Sequence, residues 1–248
     1  MEIGGIQKFS LMDYPGQIAA VIFTPGCNFR CQFCYNPMLV WPDWRDKLSN
    51  TNSSPKDEGR KDHPAPIAED DLFVFLARRQ GKLDAVVISG GEPTIHPSLP
   101  EFLARIKAYG YKIKLDTNGT NPAMLRELTG RKILDYIAMD VKAPLKRYEA
   151  VAGTAVPPGW IKESVALIRQ SGLSHEFRTT LVPGLVGEED LGGIGRTIKG
   201  ADRWFLQRFK SDTDLVNADW EEIAPFSDEE MERMRALGAR YVKECRWR

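Results

Sequence analysis

The strongest constraint on the fold is an alternation of short β-branched runs with amphipathic stretches along most of the chain. We predict strands near residues 18–24, 84–89, 111–116, 135–140, 175–181 and 203–209. Helical patterns lie between them near 69–80, 98–109, 122–130, 160–171 and 188–199, with a last helix from about 227 to 243. Repeated βα units of this kind build a parallel sheet covered by helices. Six such strands suit either an open doubly wound sheet or an incomplete barrel, and the pattern does not choose between them.

Length and charge limit the classes of protein that remain. A chain of 248 residues with 42% hydrophobic side chains can bury a large core, so we expect a single α/β domain over residues 1–248. The 34 basic and 34 acidic residues balance, which gives no general attraction to nucleic acid or an anionic membrane. The apolar runs are strand-sized, and residues 1–16 do not resemble an export signal, so we expect a cytoplasmic protein.

One segment interrupts the βα pattern. Residues 42–66 are polar, rich in proline and almost free of aliphatic side chains. Such a segment buries too little surface to offset the entropy lost on ordering. We therefore predict a flexible surface insertion, with docking of a partner protein as the less favoured alternative.

Three of the four cysteines fall within eight residues, at positions 27, 31 and 34. Four cysteines are too few for a disulfide framework, and such a cluster more often binds metal in a reducing compartment. A zinc site would need a fourth ligand, and none of the remaining candidates (His63, His96, His175 and Cys245) has the usual spacing. Three thiolates can instead ligate three irons of a cubane iron–sulfur cluster, which leaves the fourth iron open to bind a small molecule.

Six ordered blocks extend this pattern over nearly the whole chain outside 42–66. They are GGIQKFSLMDYPG, TPGCNFRCQFCYNP, SGGEPT, KLDTNGTNP, YIAMDVKAP and FRTTLVPG. The cysteine spacing resembles that of radical S-adenosylmethionine (SAM) enzymes. The ordered blocks resemble the activases of glycyl radical enzymes, and in particular anaerobic ribonucleoside-triphosphate reductase activating proteins.

The resemblance implies a fold, a cofactor set and a reaction. The fold would be a partial (β/α)6 barrel with mostly parallel strands. One site-differentiated 4Fe-4S cluster would cleave SAM reductively to a 5′-deoxyadenosyl radical, which takes a Cα hydrogen from a glycine of a partner glycyl radical enzyme. That partner would be an anaerobic ribonucleotide reductase or a relative of it, and a flavodoxin or ferredoxin would donate the electron.

The resemblance also implies roles for individual residues. The cluster ligands would be Cys27, Cys31 and Cys34. The residues expected to bind SAM are Gly90, Gly91, Glu92, Asp116, Asn118, Asp140, Lys142 and Arg178. A monovalent cation beside the SAM carboxylate would be held by Asp116, Thr117 and Asp140.

Several of these residues could have a purely structural role instead of a role in binding SAM. The SGGEPT block also suits a tight turn from strand to helix, and Asp140 with Lys142 also suits an ion pair. Arg178 could face outward on a surface strand. The aromatic residues Phe29, Phe33 and Tyr35 could pack against adenine, or they could be local core.

The sequence departs from the activase pattern in one place and contains one cysteine that this pattern does not use. Tyr35, Asn36 and Pro37 follow the third cysteine where activases commonly have His-Asn. Cys245 matches no ligand of the family, and we expect it to be structural or idle.

Two other functions compete with the activase hypothesis. The first is radical SAM chemistry on a small molecule, as in the similarly small 7-carboxy-7-deazaguanine synthases. The second is a non-catalytic iron–sulfur electron carrier, which the missing fourth ligand and the accessory blocks disfavour.

Overall fold

The computed structural model describes residues 1–41 and 67–248. The predicted insertion at 42–66 lies outside the described residues. The strands are β1 (Gly5–Ser10), β2 (Ala19–Thr24), β3 (Ala85–Gly90), β4 (Lys112–Thr117), β5 (Tyr136–Asp140), β6 (Ser174–Leu181), β7 (Arg203–Arg208) and β8 (Glu244–Trp247). The helices are α1 (Pro37–Val40), α2 (Glu69–Arg79), α3 (Leu99–Ala108), α4 (Pro122–Gly130), α5 (Tyr148–Ala152), α6 (Pro158–Gln170), α7 (Glu188–Thr197) and α8 (Asp228–Gly238).

The eight strands form one sheet in which spatial order follows chain order from β1 to β8. β1 pairs with β2 in antiparallel fashion, and every later pair is parallel. A doubly wound sheet reverses its strand order at a switch point, and this sheet has no reversal. The chain is therefore wound in one direction, as in a barrel. Within the described residues β1 and β8 do not pair, so the barrel is partial and open, as predicted.

The two faces of the sheet have different roles. The outer face packs against the helices and forms the main hydrophobic core, which contains residues from Ile3 to Cys245. The inner face carries a smaller apolar cluster, made of Tyr14, Ala19, Val21, Ala85, Val87, Tyr136 and Ala138. Side chains alternate between the two faces along each strand, so the inner face continues toward the ends of the strands with polar residues.

The six predicted strands are all present. Two further strands, β1 and β8, form the two edges of the sheet. The last helix ends at Gly238, and the prediction that it continues to about 243 is wrong. A side chain at Gly238 would lie 2.8 Å from Cys245 Sγ, because the chain turns back there so that β8 can pair with β7. The start of this helix follows the sequence signal, since Ser227 and Glu230 form a reciprocal capping box. No helix among the described residues has the length and apolar character that crossing a membrane requires.

Candidate active site

The cysteine loop, residues 25–36, follows β2 at the carboxyl end of the sheet. Its three cysteines are free thiols, with Cys31 buried and Cys27 and Cys34 partly buried against the main core. The loop backbone is tied to its surroundings by hydrogen bonds from Cys27 N to Val40 O (3.3 Å) and from Arg30 N to Ala152 O (2.7 Å). The loop is therefore an ordered part of the fold.

Burial determines the protonation of the thiols in the protein without metal. It raises the pKa of Cys27 to about 12 and that of Cys31 to about 11. The pKa of Cys34 is raised for the same reason. The Lys142 cation opposes this shift at Cys31 and Cys34, so it lies close enough to stabilise negative charge on either sulfur. A metal that binds here must displace the thiol protons, and Lys142 favours the resulting thiolates.

The two glycines of SGGEPT allow the end of β3 to pack directly on the cysteine loop. Gly91 N donates to Thr24 O (2.8 Å) and Glu92 N donates to Gly26 O (2.8 Å). A Cβ on Gly91 would lie 1.9 Å from Gly26 O, and one on Gly90 would lie 2.4 Å from Thr24 N. Gly90 also has a φ of 116°, which side chains disfavour. The pair thus holds the loop that carries the cysteines.

We predict that Gly91→Ala displaces the cysteine loop. Since the clash is with backbone atoms, relief requires movement of the loop itself, and we expect the free energy of unfolding to fall by about 3 kcal/mol. Urea unfolding measures this change, and iron bound after anaerobic reconstitution should fall with it. The matched control is Gly130→Ala, where a Cβ has no neighbour within 4 Å. Equal behaviour of the two variants would contradict the close packing at Gly91.

The Glu92 carboxylate is fully buried, and it accepts hydrogen bonds from residues at the ends of β3 and β4. Its Oε1 accepts from Thr94 N (3.0 Å), Thr94 Oγ1 (2.5 Å) and Thr117 Oγ1 (2.8 Å). Its Oε2 accepts from Asn118 N (2.6 Å). Burial raises the pKa of Glu92, and these hydrogen bonds oppose the rise. Glu92 therefore joins the ends of β3 and β4, and its predicted contact with the SAM amino group stays a prediction.

Asn118 connects the end of β4 to the cysteine loop. Its Nδ2 donates to Asn28 Oδ1 (2.8 Å), and Asn28 Nδ2 donates to Thr120 Oγ1 (2.8 Å). Thr120 in turn donates to Asn118 Oδ1 through both its backbone and its hydroxyl. This closed ring of hydrogen bonds fixes Asn28, which directly follows Cys27.

Charged side chains from β4, β5 and β6 meet on the inner face beside the cysteine loop. Arg178 lies at the centre, with Nε 2.7 Å from Asp140 Oδ1 and Nη1 3.1 Å from Asp116 Oδ2. Lys142 Nζ is 2.9 Å from Asp140 Oδ2, and Lys114 Nζ is 2.5 Å from Asp116 Oδ1. These five residues, the inner-face charge cluster, contain three cations and two anions. All four carboxylate oxygens have a cationic partner, while the group keeps one formal positive charge.

The environment of the cluster stabilises its charged forms. Burial alone would raise the pKa of Asp116 and Asp140, but Arg178 and the neighbouring lysines outweigh it and hold both pKa values below the usual range. Burial likewise opposes the charge on Lys142, and Asp140 raises the pKa of that lysine above its ordinary value. Asp116, Asp140, Lys142 and Arg178 therefore carry their charges at neutral pH.

We predict an acid-sensitive contribution of this cluster to stability. The folded pKa values of Asp116 and Asp140 lie below their unfolded value of about 3.9, so the contribution is complete above that value and is lost as the pH falls below it. Urea unfolding between pH 3 and 7 should show this decline. In Asp140→Asn the slope below pH 4 should be smaller than in the unchanged protein, and an identical slope would contradict the assignment.

The structure brings most of the predicted site residues together, but Thr117 is separated from the aspartates. Neighbouring residues of a strand point to opposite faces, and the Thr117 hydroxyl donates to Glu92 while Asp116 belongs to the inner-face charge cluster. A monovalent cation held by Asp116, Thr117 and Asp140 together stays a prediction. The Asp140–Lys142 ion pair, named as the structural alternative, is present.

The remaining predicted residues have clear locations. Arg178 lies inside the barrel and not on its outer surface. Phe29 and Phe33 are buried in the main core, as their structural alternative proposed, whereas Tyr35 is 51% exposed. Cys245 lies on β8 beside Gly238 and away from the loop.

Three contributors to the site were missed from the sequence. Lys114 precedes Asp116 by two residues, and a period of two would have placed it on the same face. Ser89 Oγ donates to Asp116 Oδ2 (3.1 Å). His96 Nε2 lies 2.9 Å from Pro25 O and supports the cysteine loop, a contact between distant segments that no local pattern indicates.

The chemistry of the donor set fits an iron–sulfur cluster, whose usual protein ligands are cysteine thiolates. Within residues 1–41 and 67–248, no three His, Cys, Asp or Glu side chains converge as ligands of one ion. The three thiols share one loop and influence one another's pKa values, so they are neighbours. Cys27, Cys31 and Cys34 would each supply one thiolate to a different iron.

Comparison with known proteins identifies the family. Residues 21–191 match the radical SAM superfamily. A Methanocaldococcus jannaschii protein, named as a candidate glycyl-radical enzyme activating enzyme, is 30% identical over 97% of this chain and 92% of its own length. The pyruvate formate-lyase-activating enzyme of Staphylococcus epidermidis is 24% identical over 96% of this chain and 86% of its own. The chain therefore belongs to the radical SAM superfamily, and the resemblance to glycyl-radical-enzyme activases is confirmed.

Solved structures support the fold. SuiB of Streptococcus suis, bound to the precursor peptide SuiA, superposes with a TM-score of 0.63 at 13% identity. The superposition covers 92% of this chain and 48% of SuiB, so the chain spans about half the length of that protein. At this level of identity the likeness concerns the fold alone.

Proposed function

We propose that this radical SAM enzyme activates a glycyl radical enzyme by taking a Cα hydrogen from one of its glycines. The observation that carries the proposal is the similarity to a candidate activating enzyme along 97% of the chain. The match covers almost all of both proteins, which favours a shared reaction over a shared fold alone.

The residues of this chain supply binding and orientation. Cys27, Cys31 and Cys34 would hold a 4Fe-4S cluster, which would supply the electron for reductive cleavage of SAM to methionine and a 5′-deoxyadenosyl radical. That radical takes the glycine hydrogen to become 5′-deoxyadenosine and leaves the partner with a glycyl radical. A one-electron donor of the flavodoxin or ferredoxin type restores the reduced state.

The inner-face charge cluster is the proposed binding surface for the amino acid part of SAM. Its net positive charge suits a carboxylate, and Lys142 links it electrostatically to Cys31 and Cys34. Gly90, Gly91, Glu92, Asp116, Asn118, Asp140 and Arg178 complete the proposed SAM site. Asp116 and Asp140 would exchange part of their lysine and arginine pairing for a monovalent cation when SAM is present.

The open sheet gives a polypeptide a route to this site. Because β1 and β8 do not pair within the described residues, we propose that the partner reaches the inner face from the side of the barrel. A glycine on an extended loop of the partner could enter there, which a closed barrel of eight strands would not permit.

The test is an anaerobic activation assay. The reconstituted protein, a reductant and SAM are incubated with pyruvate formate-lyase or with anaerobic ribonucleotide reductase from the same organism. We expect a glycine-centred doublet in electron paramagnetic resonance with one of them, together with 5′-deoxyadenosine. If deoxyadenosine appears only with a small metabolite and neither enzyme gains a radical, the function is small-molecule radical chemistry. If SAM is never consumed, the protein is an electron carrier.

A further inference from the structure

A segment from near the far edge of the sheet contacts the cysteine loop. Residues 215–220, which we call the strap, follow β7 in the chain. Val216 N donates to Cys34 O (3.0 Å), and Asn217 N donates to Gln32 O (3.0 Å). The strap thus contacts the cysteine loop on the stretch between the second and third cysteines, about 185 residues away in sequence.

The local structure of the strap directs two further donors to one atom of the loop. Asn217 Oδ1 accepts from Asp219 N (3.0 Å) and starts a short 3-10 helix over Ala218–Trp220. Asn217 Nδ2 donates to Gln32 Oε1 (3.2 Å), and Trp220 Nε1 donates to the same oxygen (3.0 Å). An indole N–H can only donate, so the atom it contacts must be the amide oxygen of Gln32. The orientation of the Gln32 amide is therefore determined.

The strap supports the end of the loop, whereas contacts from β3 support its start. Gly91 and Glu92 hold residues 24–26 at the start of the loop through β3. The strap holds Gln32 and Cys34 at its end. Leu215 is buried and Trp220 packs against the main core, so the strap has anchors of its own.

We propose that Gln32 is a positioning residue whose side-chain oxygen fastens the Cys31–Cys34 segment to the strap. Gln32 acts through Asn217 and Trp220 and supplies no ligand. Its two hydrogen bonds, added to the two backbone bonds, fix the directions in which Cys31 and Cys34 present their sulfurs. The inference requires neither a partner protein nor SAM and goes beyond the proposed function.

The test compares Gln32→Leu, which removes the acceptor, with Gln32→Glu, which keeps an oxygen for both donors. Hydrogen exchange of the full-length, metal-free protein is followed by mass spectrometry. In Gln32→Leu we expect peptides that contain Val216 and Asn217 to exchange about five- to tenfold faster, because each lost hydrogen bond changes local opening by a factor of that order. Gln32→Glu should retain the protection. Iron loss from the reconstituted protein to a chelator should accelerate by a similar factor in Gln32→Leu alone.

A second pair of variants tests the donor. Trp220→Phe should reproduce the faster exchange, whereas Trp247→Phe should not, because the Trp247 indole donates to Glu232 on α8 and not to Gln32. Unchanged exchange at 216–217 in Gln32→Leu would overturn the proposal. Equal acceleration in peptides from β4 would also overturn it, since the residue would then affect global stability and not the position of the loop. Failure of the activation assay would leave these outcomes unaffected.

Discussion

Alanine in place of Cys31 is expected to lower SAM cleavage by at least 1,000-fold, because one iron of the proposed cluster would lose its protein ligand and the cluster would no longer be held for reaction. The Cys31 side chain is 6% exposed and lies among apolar neighbours, so alanine leaves only a small cavity. The fold should survive with a loss of about 1 kcal/mol. The measurements are bound iron, visible absorbance after anaerobic reconstitution, and 5′-deoxyadenosine formed per protein.

Cys245→Ala is the matched control, because Cys245 has the same exposure of 6% and lies on β8, away from the loop. It should keep the iron content and SAM cleavage of the unchanged protein while losing a similar amount of stability. If Cys31→Ala retained full cleavage, the thiols would not be the cluster ligands. If Cys245→Ala lost the cluster, a fourth cysteine would take part and the open coordination position would be wrong.

The parallel strands could be predicted because they are buried on both faces. β3 and β5 carry nearly continuous apolar runs, which is typical of strands buried on both faces. The edge strands lack this signal. In β1 three of the six residues are exposed, and β8 has only four residues with charged side chains at alternate positions. Edge strands obtain their order from one neighbouring strand, and a local pattern does not reveal that neighbour.

The location of the site was predictable, whereas the partners of its residues were only partly so. Motifs at the ends of successive parallel strands must meet at one edge of the sheet, which places Cys27, Asp116 and Asp140 together. The sequence does not show that Glu92 is enclosed by donors from Thr94 and Asn118, or that Thr117 belongs to that enclosure. Those pairings depend on the register between β3 and β4, which is a property of the assembled sheet.

The strap shows the same limitation at longer range. Asn217 and Trp220 lie in a polar stretch with no strand or helix pattern of its own. Their function in the structure depends on contacts with Gln32, far away in sequence. Only the three-dimensional arrangement reveals that this stretch contacts the cysteine motif.

Arg178→Met is expected to lower the free energy of unfolding by about 3 kcal/mol at pH 7, since it removes the shared partner of two buried carboxylates. Asp116 keeps Lys114 and Asp140 keeps Lys142, so the loss should fall at the lower end of the range for a broken buried ion pair. Urea unfolding measures the change. Arg131→Met, which removes an arginine that also pairs with two acids but on the surface, should have little effect.

The pH dependence separates the charge contribution of Arg178 from loss of packing. Without the guanidinium, the pKa values of Asp116 and Asp140 should move upward toward their unfolded value, so the decline in stability on acidification should be shallower than in the unchanged protein. Adding Asp140→Asn should recover part of the stability lost in Arg178→Met, because it removes one of the carboxylates left without that partner. If the double variant were less stable by the sum of the two single losses, the two side chains would contribute independently and the ion pair would not account for the stability of the inner face.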